Sequence, residues 1–90
     1  MENTRILLVD DEPRIADTLR FGLKENGYDV SVAYDGKIGY RLFQTGNFDL
    51  LVLDINLPGM NGYEMCKAVR RENPNIPVIM LTAFSTLDDK

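Results

Sequence analysis

The sequence contains no histidine, no tryptophan and a single cysteine, Cys66. The absence of histidine excludes nucleophiles activated by a Ser–His or Cys–His pair, and it removes the usual transition-metal ligand. One cysteine excludes a disulfide within these 90 residues and a zinc site built on several cysteines. The remaining candidates for chemistry are the carboxylates, since the chain carries 14 Asp and Glu residues.

Basic residues and long apolar runs are also scarce. Lys and Arg total 10, so the net charge is −4 and the pI is about 4.6. A nucleic-acid surface requires Lys/Arg patches, and we therefore expect no direct nucleic-acid contact. No apolar run approaches the ~20 residues of a membrane span, and the run after the polar residues 1–5 is too short for a signal peptide. We expect a cytoplasmic domain without membrane contact.

Three short apolar runs, at residues 6–9, 50–53 and 78–81, show no alternation. Such runs are typical of parallel strands that helices cover on both faces. An alternating stretch at 28–33 predicts an edge strand. Helical patterns fill the gaps, with boundaries set by turn and capping residues. They begin at Pro13, after Asp35, near Asn61-Gly62 and near Ser85, and the first three end before Gly27, Gly46 and Asn73-Pro74.

The strand–helix alternation predicts right-handed βαβ units and a parallel sheet. With 44% hydrophobic and 27% charged residues, the composition is that of a globular domain. We therefore expect one α/β domain over residues 1–90, with a doubly wound parallel sheet.

Acidic residues follow two of the predicted strands, Asp10 and Asp11 after the first and Asp54 after the third. Ligands of open parallel sheets bind at the carboxyl ends of the strands, so these side chains converge if the two strands are neighbours. Their mutual repulsion requires a cation, and oxygen ligands suit Mg²⁺. A backbone carbonyl just past Asp54 supplies a further oxygen. The alternative interpretation, solvated loop acids or helix caps, fits Asp35 and Asp49 better.

Three further features border the same sheet edge. Thr82, at the end of the fourth strand, offers a hydroxyl there, although a helix cap or a β-favouring residue would look the same. Residues 57–62 form a turn-rich loop that either stiffens the chain before the third helix or shapes the edge beside Asp54. Glu12 is expected in the first turn of the first helix, where a negative charge is favourable.

Residues 7–13, 49–62 and 77–83 closely resemble the receiver domain of bacterial two-component response regulators. The resemblance spans essentially the whole chain and implies the flavodoxin-like (βα)5 fold. It implies that Asp54 accepts a phosphoryl group from a histidine kinase, and that Asp10, Asp11, Asp54 and the carbonyl of Asn56 hold Mg²⁺. The Thr82 hydroxyl and the Ala83 N–H would contact the phosphoryl group. Such a protein is a regulator, although it catalyses its own phosphorylation and slow dephosphorylation.

The sequence departs from the family pattern at its C-terminal end. The family's fifth strand, its terminal lysine, the preceding aromatic residue and the fifth helix have no counterpart before Lys90, so about four βα units are present and the receiver domain is expected to be incomplete. An unpaired edge at residues 78–81 then predicts self-association or exchange of elements. Residues 84–90 resemble regulators that carry a winged-helix DNA-binding output domain, which implies transcription regulation.

Three functional hypotheses follow. The first is a phosphorylation-dependent signalling switch. The second is a pseudo-receiver, or a fragment that acts only as a protein-binding module, which the missing lysine favours. The third, a Mg²⁺-dependent hydrolase with an aspartyl nucleophile, usually needs an acid two residues past the nucleophile, where Asn56 stands.

Overall fold

The computed structural model describes residues 3–81, which form a four-stranded parallel sheet and three helices. The strands lie in the order β2-β1-β3-β4. The elements are β1 (Arg5–Val9), α1 (Pro13–Glu25), β2 (Asp29–Ala33), α2 (Gly36–Thr45), β3 (Leu50–Asp54), α3 (Gly62–Glu72) and β4 (Val78–Leu81). The predicted α/β, flavodoxin-like sheet is confirmed. The helix predicted near Ser85 lies outside the described residues.

The helices begin where the capping signals place them. Pro13 is the first residue of α1, where its missing N–H removes no helical hydrogen bond. The Asp35 carboxylate accepts the Ile38 N–H at 2.8 Å and caps α2. Asn61 and Glu64 form a reciprocal capping box at the start of α3, with bonds of 2.9 and 3.0 Å. Local side-chain chemistry therefore sets the start of each helix.

Helices cover both faces of the sheet. On one face α1 packs through Ala16, Leu19 and Leu23. On the other face α2 and α3 pack with the β3–α3 loop over a larger core, which includes Leu7, Val9, Leu51, Leu53, Leu57, Met65 and Val69. Because both faces are covered, the side chains of residues 6–9 in β1 are at most 1% exposed.

The two outer strands of the described sheet, β2 and β4, each pair with one strand, whereas β1 and β3 pair with two. β2 lies at one edge, as its alternating pattern predicted. β4 pairs only with β3 among residues 3–81, and Ile79 in its middle is 50% exposed. No helix within residues 3–81 has the length and apolar character needed to cross a membrane.

Candidate metal centre

Strand pairing brings the acidic residues together at the carboxyl edge of the sheet. β1 and β3 are direct neighbours, and Val9 lies opposite Leu53 in register. The residues that follow, Asp10 and Asp54, therefore occupy the same edge. One carboxylate oxygen from each of Asp10, Asp11 and Asp54 lies within 4.8 Å of the other two.

Asp10 is the buried member of this cluster, with only 3% of its surface exposed. Its N–H donates to the Ala33 carbonyl at 3.1 Å, which ties it to the end of β2. Burial raises the pKa of Asp10, and the charges of Asp54 and Asp11 raise it further, against the lowering effect of the Glu12 N–H bond. The fold therefore holds a carboxylate where its negative charge is less favourable than in water, and a cation would compensate for this.

Glu12 occupies a different place from the one expected. It is the N-cap residue of α1, not part of its first turn, and its side chain makes no capping hydrogen bond. Its backbone N–H instead donates to Asp10 Oδ1 at 2.9 Å. The peptide at the start of α1 thus orients the Asp10 carboxylate, and Pro13 immediately begins the helix.

Asp54 is the half-buried last residue of β3. Its Oδ1 accepts the N–H of Asn56 at 3.3 Å, which orients the carboxylate. Burial raises the pKa of Asp54, as does the charge of Asp11, while backbone hydrogen bonds from Asn56 and Ile55 oppose the increase.

No ion pair within residues 3–81 neutralises the cluster. The two ion pairs of the described chain join Arg5 to Asp29 and Arg20 to Asp17, both away from this edge. Three acceptor-only carboxylates at this spacing are a suitable donor set for Mg²⁺, which prefers oxygen ligands and retains several waters. The residues present therefore fit a magnesium ion.

The loop between β3 and α3 is held close to the Asp54 backbone. Leu57 inserts into the core and is 6% exposed. The Gly62 N–H donates to the Ile55 carbonyl at 3.0 Å. A Cβ at Gly62 would overlap the Asp54 carbonyl oxygen and lie 2.9 Å from the Ile55 Cα. The sequence places this glycine in a turn at the start of the third helix, and no local pattern indicates its close approach to the end of β3.

The other predicted site residues lie as follows. Asn56 is exposed and stands two residues past Asp54. Thr82 and Ala83 lie outside the described residues. The lysines within residues 3–81 are all helical, at Lys24 in α1, Lys37 in α2 and Lys67 in α3, so none stands at a strand end.

The sequence matches the response regulator receiver domain family over residues 6–90. The chain belongs to this family. The family is one of two-component signalling proteins, and the chain is accordingly a regulatory protein. The predicted resemblance to receiver domains is confirmed.

Individual relatives agree with this assignment. The transcriptional regulatory protein CusR of Escherichia coli K12 is 38% identical over 86 residues, which are 96% of this chain and 38% of CusR. The chain thus spans about two fifths of the length of the curated relatives it matches. A structure of the response regulator TrrA from Thermotoga maritima in complex with Mg²⁺-BeF is 39% identical, with a TM-score of 0.87 over 97% of this chain and 76% of that one.

A second structure contains a partner protein. It shows histidine kinase ThkA in complex with TrrA, and the matched chain is 39% identical with a TM-score of 0.84. The match covers 97% of this receiver domain and 75% of the solved chain. The fold and the sequence of this receiver domain therefore resemble those of regulators solved with a magnesium complex and with a kinase.

Proposed function

We propose that this receiver domain accepts a phosphoryl group on Asp54 from a histidine kinase, in a Mg²⁺-dependent reaction. The observation that carries the proposal is the cluster of Asp10, Asp11 and Asp54, whose carboxylate oxygens lie within 4.8 Å. Asp10, Asp11, Asp54 and the carbonyl of Asn56 would hold the ion. When bound, Mg²⁺ supplies charge neutralisation for the phosphoryl oxygens.

In the proposed transfer, a carboxylate oxygen of Asp54 forms a bond to phosphorus while the phosphorus–nitrogen bond to the kinase histidine breaks. The electron pair of that bond leaves with the imidazole, and Asp54 becomes an acyl phosphate. Phosphoryl transfer depends mainly on alignment and charge stabilisation. The Asn56 N–H, which donates to Asp54 Oδ1 at 3.3 Å, contributes the alignment.

The readout of phosphorylation is proposed to involve Thr82 and Ala83. Leu81, the residue before Thr82, pairs with Asp54 in register across β3 and β4. We infer that the Thr82 hydroxyl and the Ala83 N–H contact the phosphoryl oxygens. We further propose a cytoplasmic regulator with a DNA-binding output domain, which the similarity to the transcriptional regulatory protein CusR supports.

The acceptor is tested by incubating the protein with acetyl phosphate and Mg²⁺ and measuring intact mass. The wild type should gain one phosphoryl group that is stable in acid and labile in base. The Asp54→Asn variant, which keeps the side-chain shape but removes the nucleophile, should gain none.

Asp35→Asn is a matched control, because asparagine caps helices as well as aspartate does. It removes the same charge outside the cluster and should be phosphorylated like the wild type. Phosphorylation of Asp54→Asn at the wild-type rate would contradict the assignment. Mg²⁺ binding without any mass gain in the wild type would favour the binding-module hypothesis.

A further inference from the structure

The first turn of α2 lies against the loop that follows Asp54. Gly36 is buried, and a Cβ built on it would overlap the Met60 carbonyl oxygen and lie 2.8 Å from the Met60 carbonyl carbon. Only glycine lets two backbones approach this closely. The neighbouring atoms belong to the main chain, so rotation of a side chain cannot relieve the overlap.

The helix is fixed in place more firmly than the loop. Asp35 caps α2 through the Ile38 N–H, and a Cβ at Gly39 would lie 2.8 Å from a methyl group of Val9 in β1, which shows how closely the helix packs on the sheet. The loop residues Pro58 and Gly59 are exposed. We therefore expect a methyl group at Gly36 to displace the exposed part of the loop near Met60 more than it displaces the helix.

The position of this loop matters for the carboxylate cluster. Residues 55–61 contain Asn56, whose N–H donates to Asp54 Oδ1. Both ends of the loop are held near the sheet, by Leu57 in the core and by the Gly62 N–H on the Ile55 carbonyl. The contact between Gly36 and Met60 holds the loop at a further point, against the first turn of α2.

We propose that Gly36 is a positioning residue for the phosphoryl-acceptor site. Because Gly36 has no side chain, α2 can contact the β3–α3 loop at Met60. This contact fixes the position of Asn56 relative to Asp54. This inference rests on the proposed function, since it concerns the same Mg²⁺ site.

The first test uses the wild-type protein, so it does not depend on a variant folding. In a Mg²⁺ titration followed by ¹H–¹⁵N NMR, the Gly36 and Lys37 amide signals should move with the same Kd as the Asn56 signal. Because Gly36 contacts the loop at Met60, a loop that Mg²⁺ binding repositions should change the surroundings of the Gly36 amide. Gly46, at the opposite end of α2, should not move. A stationary Gly36 signal at Mg²⁺ saturation overturns the proposal.

The second test compares Gly36→Ala with Gly46→Ala. An added Cβ at Gly46 is also crowded, at 2.7 Å from an edge atom of the Phe48 ring, but that contact lies far along the same helix. At a temperature where both variants are folded, the Mg²⁺ Kd of Gly36→Ala should rise at least ~5-fold, the lower range of site-to-site coupling. Gly46→Ala should stay within about twofold of the wild type even if it melts earlier, because its contact does not reach the site.

The outcomes separate the two proposals. If the wild type binds no Mg²⁺, the proposed function fails and this inference fails with it. If the wild type binds Mg²⁺ and Gly36→Ala binds it equally well, only the role of Gly36 is refuted. Slower phosphorylation of Gly36→Ala by acetyl phosphate, in proportion to its weaker Mg²⁺ binding, supports it.

Discussion

Replacing Asp10 with asparagine removes the most buried charge of the carboxylate cluster and keeps the side-chain shape. The asparagine oxygen can still accept the Glu12 N–H, which Asp10 Oδ1 accepts at 2.9 Å. Burial is the main cause of the raised pKa of Asp10, and the charge of Asp54 adds to it. We therefore expect Asp10→Asn to raise the free energy of unfolding when no divalent cation is present.

The size of the expected change in the free energy of unfolding follows from the distance between the carboxylates. Asp10 and Asp11 are adjacent in the unfolded chain as well, so the repulsion created by folding is mainly that between Asp10 and Asp54. The nearest oxygens of the cluster lie within 4.8 Å, and at that separation two unit charges repel by about 1 kcal/mol in water and by roughly 3.5 kcal/mol at an effective dielectric constant near 20. Because Asp54 is partly exposed, the expected gain is about 1–3 kcal/mol, and each kcal/mol corresponds to roughly 4–8 °C in a domain of this size.

The assay is urea unfolding at pH 7 in EDTA, repeated in Mg²⁺ at equal ionic strength. Asp17→Asn is the control, because it removes the same charge from an exposed i,i+3 pair with Arg20 and should change stability by at most ~0.5 kcal/mol. In Mg²⁺ the wild type should become more stable than Asp10→Asn, because the ion raises its free energy of unfolding by more. If Asp10→Asn is less stable than the control in EDTA, the reasoning about repulsion is wrong.

Three other expectations follow from the same structure. Mg²⁺ should raise the melting temperature through binding to the folded state, and Asp11→Ala should abolish the rise in a thermal melt. The pKa values of Asp10 and Asp54 in the folded protein are raised above 3.8. In EDTA their contribution to stability is therefore full below about pH 4 and is lost as the pH increases through the folded pKa values. Urea titrations should show the free energy of unfolding falling over this pH range, and Asp10→Asn should reduce the fall. Because β4 (Val78–Leu81) pairs with β3 alone among residues 3–81, the 90-residue polypeptide should self-associate, and a monomeric boundary at all concentrations in sedimentation velocity would contradict this.

Much of the fold could be predicted because its signals are local. Continuous apolar runs indicate strands covered on both faces, and Pro13, Asp35 and Asn61 each mark a helix start through their own backbone or side-chain chemistry. The convergence of Asp10 and Asp54 followed from these strands and one assumption, that the first and third strands are neighbours. The observed strand order satisfies that assumption.

Other features depend on contacts between distant parts of the chain, and no local pattern indicates them. Gly36 and Met60 are brought together only when α2 packs beside the β3–α3 loop. The predicted position of Glu12 in the first helical turn was wrong for a related reason. A negative charge is favourable in the first helical turn, but the Glu12 N–H donates to Asp10 Oδ1 and the helix begins at Pro13. Glu12 is therefore the N-cap residue, one position before the first turn.

The location of the cluster within the sheet explains how the fold can sustain its repulsion. Asp10 directly follows β1 and Asp54 ends β3, and these are the two strands of the described sheet that have neighbours on both sides. In these strands the side chains at residues 6–9 and 51–53 are at most 8% exposed, and each fully buried aliphatic side chain contributes about 1.5–3 kcal/mol. Two or three such side chains offset a repulsion of about 1–3 kcal/mol. In β4, by comparison, Ile79 is half exposed, so the same charges there would meet less opposing packing. Because the buried strands hold the three carboxylates together, a bound cation would relieve a repulsion that the packing otherwise opposes.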